Sequence, residues 1–170
     1  MVTAYLGLGS NLGDRQANLE KALELLGQRL KVEQVSSFYD TEPANNPAQP
    51  RFLNLVCRVS TGLAPTGLLS LAKGIESRLG RMPETHDRPR PIDIDVLLYG
   101  DEVTGLPDLV IPHPRLVERA FVLVPLAEIA PDVKHPANGK TAATLLAELR
   151  QGVQGVLKLE SGSKGARTDV

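Results

Sequence analysis

The sequence predicts an α+β fold in which one mostly antiparallel sheet packs against helices. Four segments show the period-two alternation, or the β-branched and aromatic enrichment, of strands, and two segments repeat apolar residues at steps of three and four, as amphipathic helices do. The strands are expected over residues 2–9, 32–39, 52–61 and 92–99, and the helices over 15–30 and 65–79. The order strand-helix-strand-strand-helix-strand is that of the ferredoxin-like βαββαβ sandwich, with both helices on one face of the sheet.

Local signals set the boundaries of these elements. Asp14 can cap the first helix, Pro65 opens the second, and Gly80 ends it. Two long loops remain, 41–51 with three prolines and 81–91 before the last strand. Long loops inside a compact domain are usually functional or mobile, so both are candidates for substrate contact.

The last third of the chain adds extra helices to this core. Apolar residues favour helices near 121–129 and 141–150, and residues 161–170 are expected to form a disordered tail. A chain of 170 residues has the length of one domain, so we expect a single domain over 1–160.

Composition excludes several classes of protein. Hydrophobic residues make up 42% and charged residues 23%, which is ordinary for a globule and argues against a largely disordered chain. A net charge of -1 argues against binding nucleic acid through bulk positive charge. The single cysteine, Cys57, excludes an intrachain disulfide and a cysteine-based zinc site. With no signal-peptide pattern and no long apolar stretch, we expect a cytoplasmic protein that does not bind membranes, a monomer or at most a weak homodimer.

An acidic pair lies on the fourth strand. With a side-chain period of two, Asp93 and Asp95 point to one face, while Ile92, Ile94, Val96 and Leu98 point to the other, toward the helices. The two aspartates are then about 6.6–6.8 Å apart at Cα, close enough for their carboxylates to converge on hard divalent cations. The alternative is a solvated acidic strand face.

Arginine is concentrated around this pair. Six of the twelve arginines lie between residues 78 and 119, and four of them flank the loop that leads to Asp93. Arginine forks match phosphate oxygens, and carboxylates can hold the metal of a metal-nucleotide complex, so the combination favours phosphate chemistry. The alternative is a solvated loop whose arginines pair with Glu84 and Asp87.

Three further features carry weaker signals. His113 lies between two prolines, where it can be a structural hydrogen-bonder or a donor to phosphate. The glycine segment 7–13 lacks both the Walker A and the dinucleotide-binding spacing, so we interpret it as a structural turn. Cys57, in the middle of a strand, is expected to be a buried small hydrophobe.

Four segments in order resemble the 6-hydroxymethyl-7,8-dihydropterin pyrophosphokinase family, over roughly residues 3–133. These segments are 4–14, 36–41 with 49–54, 80–81 with 89–95, and 112–121. The resemblance implies a ferredoxin-like sandwich with a substrate groove over the sheet, closed by mobile loops. It also implies transfer of pyrophosphate from ATP to 6-hydroxymethyl-7,8-dihydropterin, with AMP as the second product, in folate biosynthesis.

The resemblance also implies roles for particular residues. It makes Asp93 and Asp95 the ligands of two Mg²⁺ ions and, with Arg81 and Arg90, the catalytic set. The nucleotide would contact Lys73, Glu76, Arg81, Arg90, Ile94, Val110, His113 and Arg119. The pterin would contact Thr41, Pro43, Ala44, Phe52, Asn54 and Phe121. The family loop often reads Gly-Arg-x-Arg with a later Trp, whereas here Pro83 replaces the second Arg and the chain has no Trp.

The pterin assignment also has a physical basis. The Asn54 amide offers one donor and one acceptor to the pyrimidine edge of a pterin, and Phe52 and Phe121 can stack on its ring. The competing interpretation of both phenylalanines is core packing. As other functions we keep a non-catalytic ferredoxin-like module for a small anionic ligand or a partner protein, and a metal-dependent phosphodiesterase or other phosphotransferase.

Overall fold

The computed structural model describes residues 1–43, 48–82, 88–149 and 153–159. Its helices are α1 (Arg15–Gly27), α2 (Pro65–Arg78), α3 (Ala120–Ile129) and α4 (Ala142–Glu148), with short 3₁₀ turns at Leu116–Glu118 and Val153–Gly155. Its strands are β1 (Val2–Ser10), β2 (Lys31–Val35), β3 (Tyr39–Thr41), β4 (Phe52–Thr61), β5 (Asp93–Tyr99), β6 (Thr104–Leu106), β7 (Leu109–Ile111) and β8 (Val156–Lys158).

The main sheet has the strand order β5-β1-β4-β3-β8, and β2 pairs with the other half of β4. Every pairing in it is antiparallel. If β2 and β3 are counted together as the second strand, the order is that of a ferredoxin-like βαββαβ core. The predicted fold class is therefore confirmed, including the extra C-terminal helices.

Helices α1 and α2 pack on one face of the sheet. The Asp14 carboxylate caps α1 by accepting a hydrogen bond from the Ala17 N–H at 3.1 Å, as the sequence predicts. Pro65 begins α2, and Gly80 follows its end with φ +95°, a conformation that favours glycine. The buried cluster between these helices and the sheet is aliphatic, and its largest fully buried members include Leu6, Leu8, Leu19, Leu26, Leu55 and Leu68.

Helices α3 and α4 cover part of the opposite face. Their apolar residues pack against Tyr5 of β1, Val56 of β4, and Leu97 and Leu98 of β5. The parts of β1, β4 and β5 that carry polar groups on this face extend beyond that cluster. We call the part of this side that α3 and α4 leave uncovered the exposed face, although several of its side chains are buried among one another. It is flanked by the beginning of α3, where Arg119 and Phe121 lie.

Two predictions about the strands are wrong in detail. Leu98 packs with α3 rather than with Ile94 and Val96, because the register between β1 and β5 shifts: Tyr5 pairs with Leu98 and Leu6 with Val96, so Leu97 is an extra residue. The predicted strand 32–39 is two strands, β2 and β3.

The break lies at Ser36. Its Oγ accepts the Val56 N–H at 3.0 Å, and its own N–H donates to the Val56 carbonyl at 2.9 Å. A side-chain oxygen thus takes the place of a backbone acceptor, and the regular ladder is interrupted. The β6–β7 hairpin and β8 were not predicted.

Candidate active site

Two glycines of β1, Gly7 and Gly9, form the middle of the exposed face of the sheet. Gly9 is paired with Asp93 on one side and Asn54 on the other, and Gly7 with Asp95 and Val56. Both lie inside β1, as the strand predicted over residues 2–9 implies, and only the part of segment 7–13 after Ser10 lies outside the strand. Because glycine has no side chain, the carboxylates on β5 and the polar end of β4 face each other across a bare strip of backbone.

Asp93 is held by two arginines. Nη1 of Arg81 donates to Oδ1 of Asp93 at 2.7 Å, and Nη2 of Arg90 lies 3.7 Å from its Oδ2. The same Nη1 of Arg81 also donates to Glu76 Oε2 at 3.1 Å, and this oxygen accepts the Ile94 N–H at 2.7 Å. Glu76 therefore joins α2 to the outer edge of β5 and fixes the position of Arg81. Burial raises the pKa of Glu76, whereas the Ile94 N–H and Arg81 lower it.

Asp95 lies two residues along the same face of β5. Burial raises the pKa of its carboxyl, the neighbouring charge of Asp93 raises it further, and Arg119 and Arg81 oppose that shift. A buried acid beside a second acid is stabilised as a carboxylate when a cation joins it. The donor set therefore fits a hard divalent ion. In the described part of the chain no group of three or more acidic, histidine or cysteine side chains could hold a metal, so these two carboxylates would share an ion with other ligands.

His113 adds a neutral donor close to this pair. Its backbone N–H donates to the Leu97 carbonyl at 3.0 Å, and the Arg115 N–H donates to its Nδ1 at 3.2 Å. Because Nδ1 is an acceptor there, the neutral ring carries its proton on Nε2. Burial and the Arg119 charge lower the pKa of His113 to about 4, so the ring is neutral at pH 7.

Arg119 lies between the acidic pair and α3. Its guanidinium stacks on the Phe121 ring at 5.3 Å from the centroid. Its Nε is buried and has no hydrogen-bond partner within the described residues, and burial lowers its pKa while Asp95 raises it. A buried donor without a partner costs free energy, which a bound anion would recover.

The polar end of β4 forms the other half of the site. Asn54 Nδ2 donates to Thr41 Oγ1 at 2.5 Å, and Asn54 Oδ1 lies against the Cα of Gly9, where a Cβ would collide with it. Both side chains are buried. The amide is thereby oriented, with one N–H of its Nδ2 donated to Thr41. Phe52 lies beside it, and the Arg90 guanidinium stacks on the Phe52 ring at 4.8 Å.

The structure brings together most of the predicted site residues. Those on the exposed face or at its margin are Thr41, Phe52, Asn54, Arg81, Arg90, Asp93, Asp95, His113, Arg119 and Phe121. The sequence also places Pro43 just after β3. Ala44 lies outside the described residues.

Three predicted nucleotide contacts lie elsewhere. Lys73 is exposed on α2, one turn before Glu76. Ile94 points its side chain into the core on the opposite face, so only its backbone reaches the strand edge, where Glu76 accepts its N–H. Val110 is 43% exposed on the β6–β7 hairpin.

Asn11 and Gln49 have no predicted role. In the structure both are buried and hydrogen-bonded to each other, at the edge of the site. An asparagine in a Gly-Ser-Asn turn and a glutamine in a proline-rich loop are both ordinary turn residues. Only the tertiary contact distinguishes them.

The family model for 7,8-dihydro-6-hydroxymethylpterin-pyrophosphokinase (HPPK) matches residues 5–131. The chain belongs to this family. Three curated relatives carry the name 2-amino-4-hydroxy-6-hydroxymethyldihydropteridine pyrophosphokinase. The one from Bacillus subtilis is 45% identical over 137 residues, 79% of this chain and 82% of the relative. The one from Aquifex aeolicus is 45% identical over 140 residues, 82% and 88% of the two chains. The one from Methylorubrum extorquens is 46% identical over 151 residues, 88% and 94%.

Solved structures support the fold of this HPPK family member. A wild-type HPPK-DHPS of Plasmodium falciparum with STZ-DHP superposes with a TM-score of 0.71 at 20% identity, covering 86% of this chain. An HPPK-DHPS in complex with substrates gives 0.70 at 17% identity, again over 86% of this chain. This chain spans 43% of the length of each of those two chains. At this identity the likeness concerns the fold.

Proposed function

We propose that this protein transfers the pyrophosphoryl group of ATP to the hydroxymethyl oxygen of 6-hydroxymethyl-7,8-dihydropterin and releases AMP, a step of folate biosynthesis. Membership of the HPPK family supports this reaction. The main structural support is that the acidic pair and Asn54 lie on the same face of the sheet. Asp93 and Asp95 on β5 are separated from Asn54 on β4 only by the glycines of β1. One side of this face suits a metal-bound polyphosphate and the other suits a flat heterocycle.

Four cationic or donor groups form the phosphate side. Arg81 and Arg90 flank Asp93, and His113 and Arg119 lie near the acidic pair, where Arg119 stabilises the charged form of Asp95. We assign all four to the phosphate oxygens, since guanidinium forks and the His113 Nε2–H offer donors to anionic oxygen. The rest of the nucleotide is assigned to the outer edge of β5 and the hairpin that follows it. The residues at this edge are Lys73, Glu76, Ile94 through its backbone, and Val110.

Asp93 and Asp95 are the residues that would hold Mg²⁺, with two ions expected. When bound, Mg²⁺ neutralises phosphate charge and polarises the phosphoryl oxygens. Two carboxylates supply only part of an octahedral set, so the remaining ligands would be ATP oxygens and water.

The pterin side is built from flat and amide groups. Phe52 and Phe121 can stack on the pterin ring. The bond to Thr41 orients the Asn54 amide, whose Oδ1 can accept from the N–H edge of the pterin. Thr41, Pro43 and Ala44 would border the ring.

In the reaction, the hydroxymethyl oxygen bonds to the β-phosphorus of ATP, the bond from that phosphorus to the α–β bridging oxygen breaks, and AMP leaves. The hydroxyl proton of the attacking oxygen is released to solvent, so that each turnover gives the pterin diphosphate ester, AMP and one proton. Asp95, which is paired with Gly7, is assigned to orienting that hydroxyl. Positioning and charge neutralisation supply most of the acceleration, since phosphoryl transfer asks for little covalent help from the protein.

The test is an incubation of the protein with ATP, Mg²⁺ and the reduced hydroxymethylpterin, followed by chromatography of the nucleotides and phosphorus NMR of the pterin product. AMP and a pterin diphosphate ester in equal amounts are expected, and EDTA should stop the reaction. Formation of ADP would point to transfer of a single phosphoryl group, release of inorganic phosphate to hydrolysis, and an unchanged mixture to a binding module.

No helix in the described parts of the chain is long and apolar enough to cross a bilayer. A cytoplasmic location and a monomeric state remain predictions. Light scattering coupled to gel filtration at micromolar concentration tests the second.

A further inference from the structure

Glu128 joins the last turn of α3 to the segment that contains β3. Its Oε1 accepts the Ser37 N–H at 3.0 Å and the Tyr39 hydroxyl at 2.8 Å, and its Oε2 accepts the Ser37 hydroxyl at 2.7 Å. Lys158 of β8 lies farther away, with its Nζ 4.0 Å from Oε2. One carboxylate on α3 therefore holds two alternate residues of a segment that precedes it by 91 and 89 positions in the chain.

The stability of α3 does not explain an acidic side chain at this position. Glu128 is the second-to-last residue of the helix, where the negative end of the helix dipole disfavours a carboxylate. The bonds to β3 offset this cost, and one of them is well protected, since Tyr39 is 5% exposed. Burial raises the pKa of Tyr39, and the hydrogen bond to Glu128 and its charge raise it further, so the hydroxyl remains a donor.

The segment held by Glu128 leads directly to the amide on the pterin side. Ser37, Tyr39 and Thr41 are alternate residues, so their side chains lie on one face. Tyr39 is paired with Asn54 across the sheet, and Thr41 Oγ1 accepts from Asn54 Nδ2 at 2.5 Å. β3 has only three residues, its other neighbour β8 also has three, and the ladder before it is interrupted at Ser36. Few backbone bonds therefore keep β3 in place.

We propose that Glu128 is a positioning residue for the pterin. By holding Tyr39 it keeps β3 in place, and Thr41 of this strand then orients the Asn54 amide. The inference rests on the proposed function, because it assumes that Asn54 contacts the pterin. Loss of Glu128 should therefore weaken pterin binding and leave the phosphate side, on β5, unchanged.

The experiment compares Glu128→Ala and Glu128→Gln with the wild type, with α,β-methylene ATP and Mg²⁺ present. Alanine removes all three bonds, so the dissociation constant of the reduced hydroxymethylpterin should rise about threefold to tenfold, the equivalent of one net hydrogen bond. Glutamine keeps an oxygen for Tyr39 and the Ser37 N–H, and its N–H can donate to Ser37 Oγ, so the affinity should return to that of the wild type. Pterin fluorescence measures these constants. In steady-state kinetics the KM for ATP should stay within about twofold in both variants.

Glu148→Ala is the matched control. Glu148 lies on α4, which packs against α3, and its Oε1 accepts from Lys140 Nζ at 2.9 Å. The same substitution removes a carboxylate bond from the same helical layer without touching β3, so the pterin constant should change by less than about twofold. Tyr39→Phe keeps the buried ring and removes only the bond on β3. It should weaken pterin binding in the same direction, and it decides the question if Glu128→Ala lacks a cooperative thermal transition.

Two further measurements test the route through Thr41. In Thr41→Val the hydroxyl that orients Asn54 is gone, so adding Glu128→Ala should weaken pterin binding by less than about twofold more, whereas independent effects would multiply. The Asn54 side-chain N–H signals in ¹H–¹⁵N NMR spectra of the ligand-free protein, assigned by their loss in Asn54→Asp, should shift in Glu128→Ala. They should stay unchanged in Glu148→Ala.

Several results would overturn the inference. They are an unchanged pterin constant in Glu128→Ala, no recovery in Glu128→Gln, multiplying effects in the Thr41→Val background, and equal rises of the pterin constant and of the KM for ATP. A wild-type protein that makes no AMP contradicts the proposed function instead. The NMR comparison needs no substrate, so unchanged Asn54 signals in Glu128→Ala contradict the role of Glu128 whatever reaction the protein catalyses.

Discussion

On the face of the sheet that α1 and α2 cover, β1 and β4 contribute aliphatic side chains and Cys57, all almost fully buried. On the opposite face the same strands carry Gly7, Gly9 and Asn54, and β5 adds Asp93 and Asp95. The difference comes from the period of two, which gives neighbouring residues of a strand opposite surroundings. Alternate residues of a strand therefore contribute to stability or to the reaction. Substitutions one position apart should lower either the free energy of unfolding or the rate of the reaction.

The acidic pair gives the largest expected effect on the reaction. Asp95→Ala should lower the rate of AMP formation by about 10³-fold or more, comparable to the loss of a main group that stabilises the transition state. The affinity for the pterin should change little, since Asp95 lies on the phosphate side. Nucleotide analysis and pterin fluorescence measure the two quantities.

A variant Asp95→Ala with turnover near that of the wild type would contradict the role of Asp95. Equal losses of turnover and pterin affinity would contradict the division of the face into two halves.

Leu8 tests the covered face at the position next to Gly9. Leu8→Ala leaves a cavity between β1 and the helices, because Leu8 is 1% exposed in the aliphatic cluster, and should lower the free energy of unfolding by about 2–5 kcal/mol. Urea unfolding measures this change. Below the melting transition the rate of AMP formation should stay within about threefold of the wild type.

A Leu8→Ala protein of unchanged stability but much reduced turnover would contradict the division of the two faces into a stabilising and a catalytic one.

Gly9 and Gly7 test whether two neighbouring positions of the exposed face have different functions. In Gly9→Ala the new methyl group collides with Asn54 Oδ1, so the amide must turn away, and the KM for the pterin should rise by about 10-fold or more. The KM for ATP should change much less. Steady-state kinetics with each substrate varied in turn measures both.

Gly7→Ala is the control, since its methyl group would lie 3.5 Å from Leu97, an ordinary contact, and should change the pterin KM by less than about threefold. Similar KM values in the two variants would mean that Asn54 does not need its present orientation.

His113 gives the smallest effect, on stability against pH. Its pKa of about 4 in the folded protein is below the ordinary value of 6.5, because of burial and the Arg119 charge, with Arg115 adding to this and Asp93 opposing it. As the pH falls through 6.5, the unfolded chain takes up this proton first. The contribution to stability is therefore complete above pH 6.5 and is lost as the pH falls to about 4.

Urea unfolding of His113→Asn and of the wild type at pH 7, 6 and 5 measures this contribution. The amide oxygen of asparagine can replace Nδ1 as the acceptor for the Arg115 N–H, so the variant should fold and show a smaller decrease of stability with acid. His135, whose pKa burial also lowers, is unchanged in both proteins. Parallel curves for the two proteins would contradict the prediction.

The arrangement of the acidic pair was predictable because it depends on local geometry. Asp93 and Asp95 share a face through the strand period, and the same count placed Leu98 wrongly, because the extra residue Leu97 shifts the register with β1. Such a bulge has no marker in the sequence of β5 alone. The split of the predicted strand at Ser36 is similar, since it depends on a side-chain bond to Val56 on another strand.

Contacts between segments that are distant along the chain could not be predicted from the sequence. Asn54 lies against Gly9, and Asn11 bonds to Arg90 and Pro50, across separations of 45, 79 and 39 residues that only the fold closes. Glu76 is predicted to contact the nucleotide. In the structure its Oε2 also accepts hydrogen bonds from the Ile94 N–H and from Arg81.

The order of the core strands and helices, the two different faces of these strands and the family resemblance could be predicted from the sequence alone, because periodicity and motif spacing are local properties of the chain. Other features become visible only in the folded protein: which part of the sheet α3 leaves uncovered, which glycine lies against the Asn54 amide, and which asparagine joins two loops. These features depend on the pairing register and on side-chain contacts between segments far apart in the chain. The contacts stabilise the protein only after those segments have come together.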